Sequence, residues 1–466
     1  MSFLSSQWFL FIFIVLAAFH LLPPGKRKAV LLVSSLIFPF LILSINQVCY
    51  LFLYLFSGYL LIRLCHTSKN NKLSILAIFL WIMLYSWVGG YLHSFIGQEV
   101  LSVPLVIGSS YILFRVLQLL IEVKRQQEQP LTITDYFLFT SNWLVFLSGP
   151  IQRLKDYKEQ ISSIHTKKID QEVVLDSLLR ITKGIVKVLL LATIIDVEHQ
   201  ILLINLSTSE VFNFKFSVLA ISYLGYLYIN FSGYMDIVIG IGNLFGLNLP
   251  ENFNQPFSSK SFLEFWDRWH ITLSSWIKDF FYIPLLTSCI RKLPNRHFSI
   301  LSGIIIYFTA FTLLGLWHGT SYSFLLCGLM LGLGASINVL LKQYLPSIRS
   351  NNNVAKPFIF LLTNLGIALV FAHISISIIG FWLSWDSIIS FLNKATYLDI
   401  FKIYLFSTVL SLGFIIYSNI KTFVTTHIDW SKPKVKEILV GANLFLILLA
   451  VIEFRNLTSD IVYQGF

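Results

Sequence analysis

Residues 250–285 read PENFNQPFSSKSFLEFWDRWHITLSSWIKDFFYIPL, and a second short stretch, residues 316–321, reads LWHGTS. The first is the most polar part of an otherwise apolar chain, with Asn252, Asn254, Glu264, Asp267, Arg268, His270, Lys278 and Asp279 set between long hydrophobic runs. Ionisable groups at membrane depth are costly and tend to mark function. Taken as a helix, 261–281 puts Phe262, Trp266, Trp269, Leu273, Trp276 or Ile277, and Phe280 at helical spacing. Ser261 three residues before Glu264 makes a capping box, and Glu264 and Arg268 are spaced i, i+4 for pairing. His270 sits at the border of the apolar stripe. It is either a hydrogen-bonded structural residue or one that points into a cavity, held by Asp267 or another neighbour, and the sequence leaves both open.

Outward from these stretches the chain is a membrane protein. Of its 466 residues 56% are hydrophobic and only 12% charged, against about one-quarter charged in soluble domains. With a mean hydropathy of +0.74, an all-α polytopic membrane protein is the expected class. No stretch is long and polar enough to be a separate soluble domain, so one integral membrane domain over 1–466 is expected. Candidate spans are 8–23, 29–45, 47–64, 73–90, 100–122, 176–204, 211–247, 300–318, 321–341, 357–383, 401–420 and 437–454, about 11–12 crossings. The core of interest is about 100–345, the later spans fall within 357–454, and a short tail covers 455–466. The run 136–151, ending in Gly149-Pro150, is too short to cross and reads as a re-entrant or buried helix, allowed only where protein or a cavity covers its end. The region 211–247 is long enough for a span plus a bent piece, with Gly225, Gly233, Gly240, Gly242 and Gly246 as weak points.

The net charge of +11 comes from Lys and Arg in short loops between apolar runs. That is the positive-inside pattern rather than a nucleic-acid patch. Alternation of these loops places the N-terminus outside, His318 in the outer half of its span, and the C-terminus outside. The first apolar run, Trp8 to Leu22, has neither a basic flank nor a small-residue cleavage site and reads as a retained span. The four cysteines are scattered in or beside apolar runs and show no metal-ligand spacing.

His318 ends an apolar run, follows Trp317, and precedes Gly319, whose missing side chain lets another group approach closely. An imidazole with its ordinary pKa near 6.5 is a usable general base for a hydroxyl. The other reading is a helix-end histidine facing water.

Three blocks together resemble the membrane-bound O-acyltransferase family: FSGYMDIVIGIGNLFGLNLPENFNQPF with EFWDRWHITLSSWIKDFFYIPL, GLWHGT, and FLSGPIQRLKDY at 146–157. They look most like its bacterial branch, which holds the alginate O-acetylase membrane subunit and the teichoic acid D-alanyl transferase, and the first forty residues resemble the alginate type. The resemblance implies a ring of tilted helices, with re-entrant and amphipathic helices, around a central funnel. It also implies that His318 matches the family's catalytic histidine and His270 the second histidine of this branch. Asn252, Arg153, Arg268, Trp269, Lys278 and Trp317 then stand as donor- or substrate-binding candidates. No tightly bound cofactor is implied, and the co-substrate is an acyl thioester, acetyl-CoA or an acyl carrier protein. The implied partners are that cytosolic donor, an extracytoplasmic polysaccharide O-acetyltransferase or the polymer itself, and membrane lipids, with no nucleic acid. The implied place is the bacterial cytoplasmic membrane. The end of the chain, Ile461 to Phe466, looks like the branch's Phe-x-Tyr-x-x-Phe tail with Ile461 for the first Phe, which makes Tyr463 a transient acyl carrier; a chance match at a terminus is the other reading. After Pro284 the sequence Leu285-Leu286-Thr287-Ser288 departs from the Gly-Gly-Asn-Arg run usual in alginate-type members, which bears on the exact substrate: acetyl transfer to an envelope polysaccharide is the first expectation, and D-alanyl transfer to teichoic acid, weakened by the alginate-like N-terminus, the second. A non-enzymatic transporter with broken helices is the rival class.

Overall fold

Two short N-terminal devices show how local sequence starts the helices. The Ser5 hydroxyl accepts from the Trp8 amide at 3.3 Å and caps Ser6–Leu21. Ser44 and Gln47 form a complete capping box at the head of Ile45–Thr67, satisfying two of the amides that a helix start leaves unpaired. In the computed structural model, residues 3–68, 71–88, 107–126, 131–204, 206, 212–292, 295–344, 356–427 and 433–453 are described. Among them there is no strand, and the one β-type pairing is an isolated bridge, Phe253 with Trp269. Five helices among the described residues are long and apolar enough to cross a membrane, or six if the pair Trp385–Lys394 and Tyr397–Gly413, bent by 115°, is one span. Two further apolar helices, Ser6–Leu21 and Lys72–Trp87, are shorter. The chain is thus a multi-pass membrane protein, although not all of the eleven to twelve expected crossings are matched by helices of spanning length among the described residues.

The chain divides into two units. The first takes in the described residues up to Gly184 and Tyr234–Glu251. Here the short run expected to be buried is so: Ile133–Ser141 and the single turn Trp143–Val145 are followed by loop, and residues 138–152 are all buried. A buried helix end needs partners for its free carbonyls. Arg115, 1% exposed, supplies them, donating to Thr140 O at 2.8 Å and to Val145 O. Asp236, an acid within an apolar helix, is held by Arg180 at 3.2 Å, which also bridges to Glu251 at 2.6 Å.

The second unit takes in Ile185–Gly233 and the described residues from Asn252 on. Its central hairpin pairs Arg296–His318 with Tyr322–Tyr344. Small residues let such backbones approach: a Cβ on Gly328 would lie 2.7 Å from Phe311 O, and one on Gly315 would lie 2.7 Å from Gly328 Cα.

Phe212–Leu244 is one helix of 33 residues, which corrects the expectation of a span plus a bent piece over 211–247. A glycine inside a helix costs only about 1 kcal/mol, and burial along most of this helix outweighs it. Gly240 is a packing position rather than a hinge, since its Cβ would meet Ile181 Cγ1 at 2.7 Å and Ser177 O at 3.0 Å. The helix stops at Gly246, in the left-handed region at φ 71°, where Leu247 N–H returns to Gly242 O at 2.9 Å.

Candidate functional site

The site is built on the stretch 250–277, where the single helix expected over 261–281 proves to be broken. Phe262–Arg268 and Ile271–Ile277 are separate helices, Trp269 is extended, and His270 stands between them in the left-handed conformation at φ 45°, ψ 49°. The helix then continues through a π turn, Lys278–Tyr282, into Ile283–Lys292. The break has an identifiable cause 18 residues back along the chain. Residues 252–254 run antiparallel to it: Asn254 N–H donates to Arg268 O and Ile271 N–H to Asn252 O, each at 3.0 Å. The Asn252 side chain completes the joint, its Oδ1 accepting from Thr272 N at 3.0 Å and from the Thr272 hydroxyl at 2.7 Å. Asn252 therefore caps the second helix from outside it, taking the amides that the helix start leaves free.

Asn252 is fully buried. Asn252→Ala strands two buried donors on Thr272, at a cost of about 1–3 kcal/mol for each unsatisfied group. Thermal unfolding in detergent is expected to show a clear fall in the midpoint, and Asn252→Asp, which keeps an acceptor, a smaller one. Equal midpoints for Asn252→Ala and the parent chain would show that Asn252 does not hold this joint.

The expected local pairs are mostly present. The Ser261 hydroxyl accepts from Glu264 N at 3.2 Å, but the Glu264 carboxylate returns to Lys260 N at 2.9 Å rather than to Ser261, so the capping box is half formed. Glu264 and Arg268 pair at 2.9 Å, and Arg268 also donates to the Ser258 hydroxyl at 3.2 Å. Asp267 does not hold His270: it is exposed and lies 3.7 Å from Lys278. The imidazole is instead set edge-on against Phe231, with ring centroids 4.9 Å apart, and is 3% exposed. Burial pushes its pKa down to about 3, so the ring is neutral. Trp269 stacks on Phe265 at 5.3 Å and closes the same wall.

His318 ends its helix and is partly exposed. Its ring packs against Trp317 at 4.7 Å, edge-on to Phe381 at 4.9 Å, and parallel to Phe324 at 6.5 Å. Gly319 has the role expected of it, since a Cβ there would collide with the Phe324 ring. His270 and His318 belong to the same unit and are near enough to interact electrostatically.

The structure thus gathers Asn252, Trp269, His270, Trp317 and His318. Lys278 is exposed beside Asp267, and Arg268 is committed to Glu264 and Ser258. Arg153 stands at the head of Leu154–Ser163 in the first unit. Tyr463 lies outside the described residues. Phe231, Phe324, Phe381 and Thr272 were not legible as site residues: three arrive from separate helices or turns, and aromatic residues in apolar runs carry no signal of their own.

The sequence profile of the "MBOAT, membrane-bound O-acyltransferase family" matches residues 39–384. The chain is 31% identical over 271 residues to a probable alginate O-acetylase of Pseudomonas fluorescens, covering 57% of this chain and 50% of that protein. It is 28% identical over 318 residues to a teichoic acid D-alanyltransferase of Streptococcus thermophilus, covering 60% and 74%. It is 29% identical over 207 residues to a peptidoglycan O-acetyltransferase of Helicobacter pylori, covering 44% and 37%. The chain spans about half the length of the alginate-type relatives it matches. Both histidines, the Asn252 joint and the hairpin whose first helix ends at His318 fall inside the matched region, and the chain belongs to the membrane-bound O-acyltransferase family.

Proposed function

We propose that the chain is an O-acyltransferase that moves an acyl group, acetyl in the first reading, from a cytosolic thioester across the membrane for O-acylation of a cell-envelope polysaccharide. The observation that carries this is a partly exposed imidazole at a helix end, His318, in the same unit as a second, buried imidazole, His270, which stands at a helix break. His318 takes the proton of an attacking hydroxyl. The oxygen adds to the thioester carbonyl, and the tetrahedral adduct collapses to the new ester with loss of a thiolate, which regains a proton. The proton taken by His318 goes to that thiolate, directly or relayed through the neutral His270 ring, which also orients the donor. The hydroxyl belongs to the polymer, to an intermediate carrier such as Tyr463, or to the acceptor of a separate extracytoplasmic transferase. Arg268 and Lys278, both in the second unit, draw an anionic carrier. The protein sits in the bacterial cytoplasmic membrane with both termini outside.

The printed activities of the relatives support acyl transfer to an envelope polymer in general. D-alanyl transfer from a carrier protein to teichoic acid is the second reading, favoured by the Streptococcus thermophilus relative, of which the chain covers 74%. Transport without chemistry has no such support. The test is purified protein with labelled acetyl-CoA, and in parallel a labelled D-alanyl carrier. Turnover of acetyl-CoA, with transfer to an envelope polysaccharide or a mass gain on the peptide holding Tyr463, is expected. Turnover of the D-alanyl carrier alone would move the assignment to the second reading, and binding or flux with neither donor consumed would overturn both.

A further inference from the structure

Besides Phe324 of the hairpin, the His318 ring packs against the single turn Ile379–Phe381. That turn is held from two sides. The Gly380 amide donates to the Cys327 sulfur at 3.2 Å, and the Phe381 carbonyl accepts from the Tyr223 hydroxyl at 3.2 Å. Gly380 is flush against Ser323, where a Cβ would lie 2.8 Å from Ser323 Cβ, so the turn cannot slide toward the hairpin. On the other side Trp382 is wedged against Phe216, with ring centroids 5.4 Å apart. The result is that Phe381 meets two rings edge-on at once: His318, inclined 66°, and Phe324 at 5.1 Å, inclined 89°. Edge-to-face packing fixes the plane of an aromatic ring more tightly than aliphatic packing does.

We propose that Tyr223 and Cys327 are positioning residues of the acyl-transfer site, which act through the turn Ile379–Phe381 to set the plane of the His318 imidazole. The inference rests on the reading of His318 as the base. Neither residue reaches the reacting atoms; Cys327 holds the amide end and Tyr223 the carbonyl end of the pair Gly380-Phe381, and the Phe381 ring packs on the imidazole. A base must meet its proton along a narrow range of directions, and a displacement of about 1 Å in such a group can cost a hundred-fold in rate. Tyr223 is half-buried and Cys327 is 1% exposed, so neither reads as a surface contact for a partner.

The experiment compares turnover of labelled acetyl-CoA by purified Tyr223→Phe, Cys327→Val and Cys327→Ser, with His318→Ala as reference. Tyr223→Phe removes one oxygen. Cys327→Val fills the same space without an acceptor, whereas Cys327→Ser keeps one. Expected are a fall in kcat of about ten- to a hundred-fold in Tyr223→Phe and in Cys327→Val, with the donor KM unchanged, and recovery to near the parent value in Cys327→Ser. Phe381→Leu should lose as much, and Tyr223→Phe added to it should cost nothing further, because both act through the same ring. A merely structural role would lower the thermal midpoint and the active fraction of all these variants but leave kcat per folded molecule alone; that result would overturn the inference. Unchanged kcat in Tyr223→Phe and Cys327→Val beside an inactive His318→Ala would overturn this inference and leave the base in place. An active His318→Ala would remove both.

Discussion

His318→Ala is expected to lower acyl transfer by about a hundred- to ten-thousand-fold, the span that a positioned general base contributes, while the protein still folds. The two halves of this expectation come from the same geometry. His318 as a residue is partly exposed at the end of a helix, so alanine there leaves less unfilled space than at a fully buried core position. What it gives up is packing against Phe381 and Phe324, and aromatic pairs of this sort contribute only about 0.5–1.5 kcal/mol beyond area burial. The hairpin beneath it is secured elsewhere, by the close approach at Gly315 and Gly328, and does not depend on the imidazole. The measurement is donor consumption by purified variant and parent at equal folded concentration, judged by thermal unfolding. His318→Gln, which keeps a polar planar group but cannot take a proton, should be as inactive as alanine. Normal turnover in either variant would remove His318 as the base, and with it the mechanism proposed above.

How much of this site was legible in the sequence depends on the range of the interaction. Features set within four residues were: the Ser261 cap, the Glu264–Arg268 pair, the need for glycine after His318, and the polar character of 250–285 in an apolar chain. The break at His270 was not. Phe262, Trp266, Trp269, Leu273 and Trp276 keep a helical beat straight through it, because one left-handed residue turns the chain without removing the apolar face on either side. The partner that causes the break, Asn252, lies outside the window in which periodicity is read. The same limit explains Arg115. Within the run 100–122 it reads as an isolated charge, and only the fold shows that a short buried helix needs its carbonyls closed. The long helix Phe212–Leu244 errs in the opposite direction: its four glycines read as weak points, but for Gly240 the missing side chain makes room for a neighbouring helix.

The strain at His270 separates its backbone role from its ring. Non-glycine residues in the left-handed region cost about 1 kcal/mol or more, and such outliers persist where the surroundings over-determine them, often at sites of function. His270→Ala keeps the strained Cβ and loses the ring. His270→Gly loses the ring and the strain together. The two variants forfeit the same contact with Phe231, so their difference isolates the backbone. His270→Gly is expected to unfold later than His270→Ala, because the relieved strain of about 1–2 kcal/mol exceeds the cost of about 0.4–1 kcal/mol from glycine's freedom in the unfolded chain. His270→Val, whose branched Cβ is the least tolerant of positive φ, should be the least stable of the three. Activity should ignore this order. If the imidazole orients the donor or returns a proton to the departing thiolate, all three variants lose turnover by about a hundred-fold or more, the most stable one included. A histidine kept only to make the turn predicts the reverse: His270→Gly, which makes that turn more easily, would then retain full turnover, and His270 would leave the mechanism while His318 stayed in it.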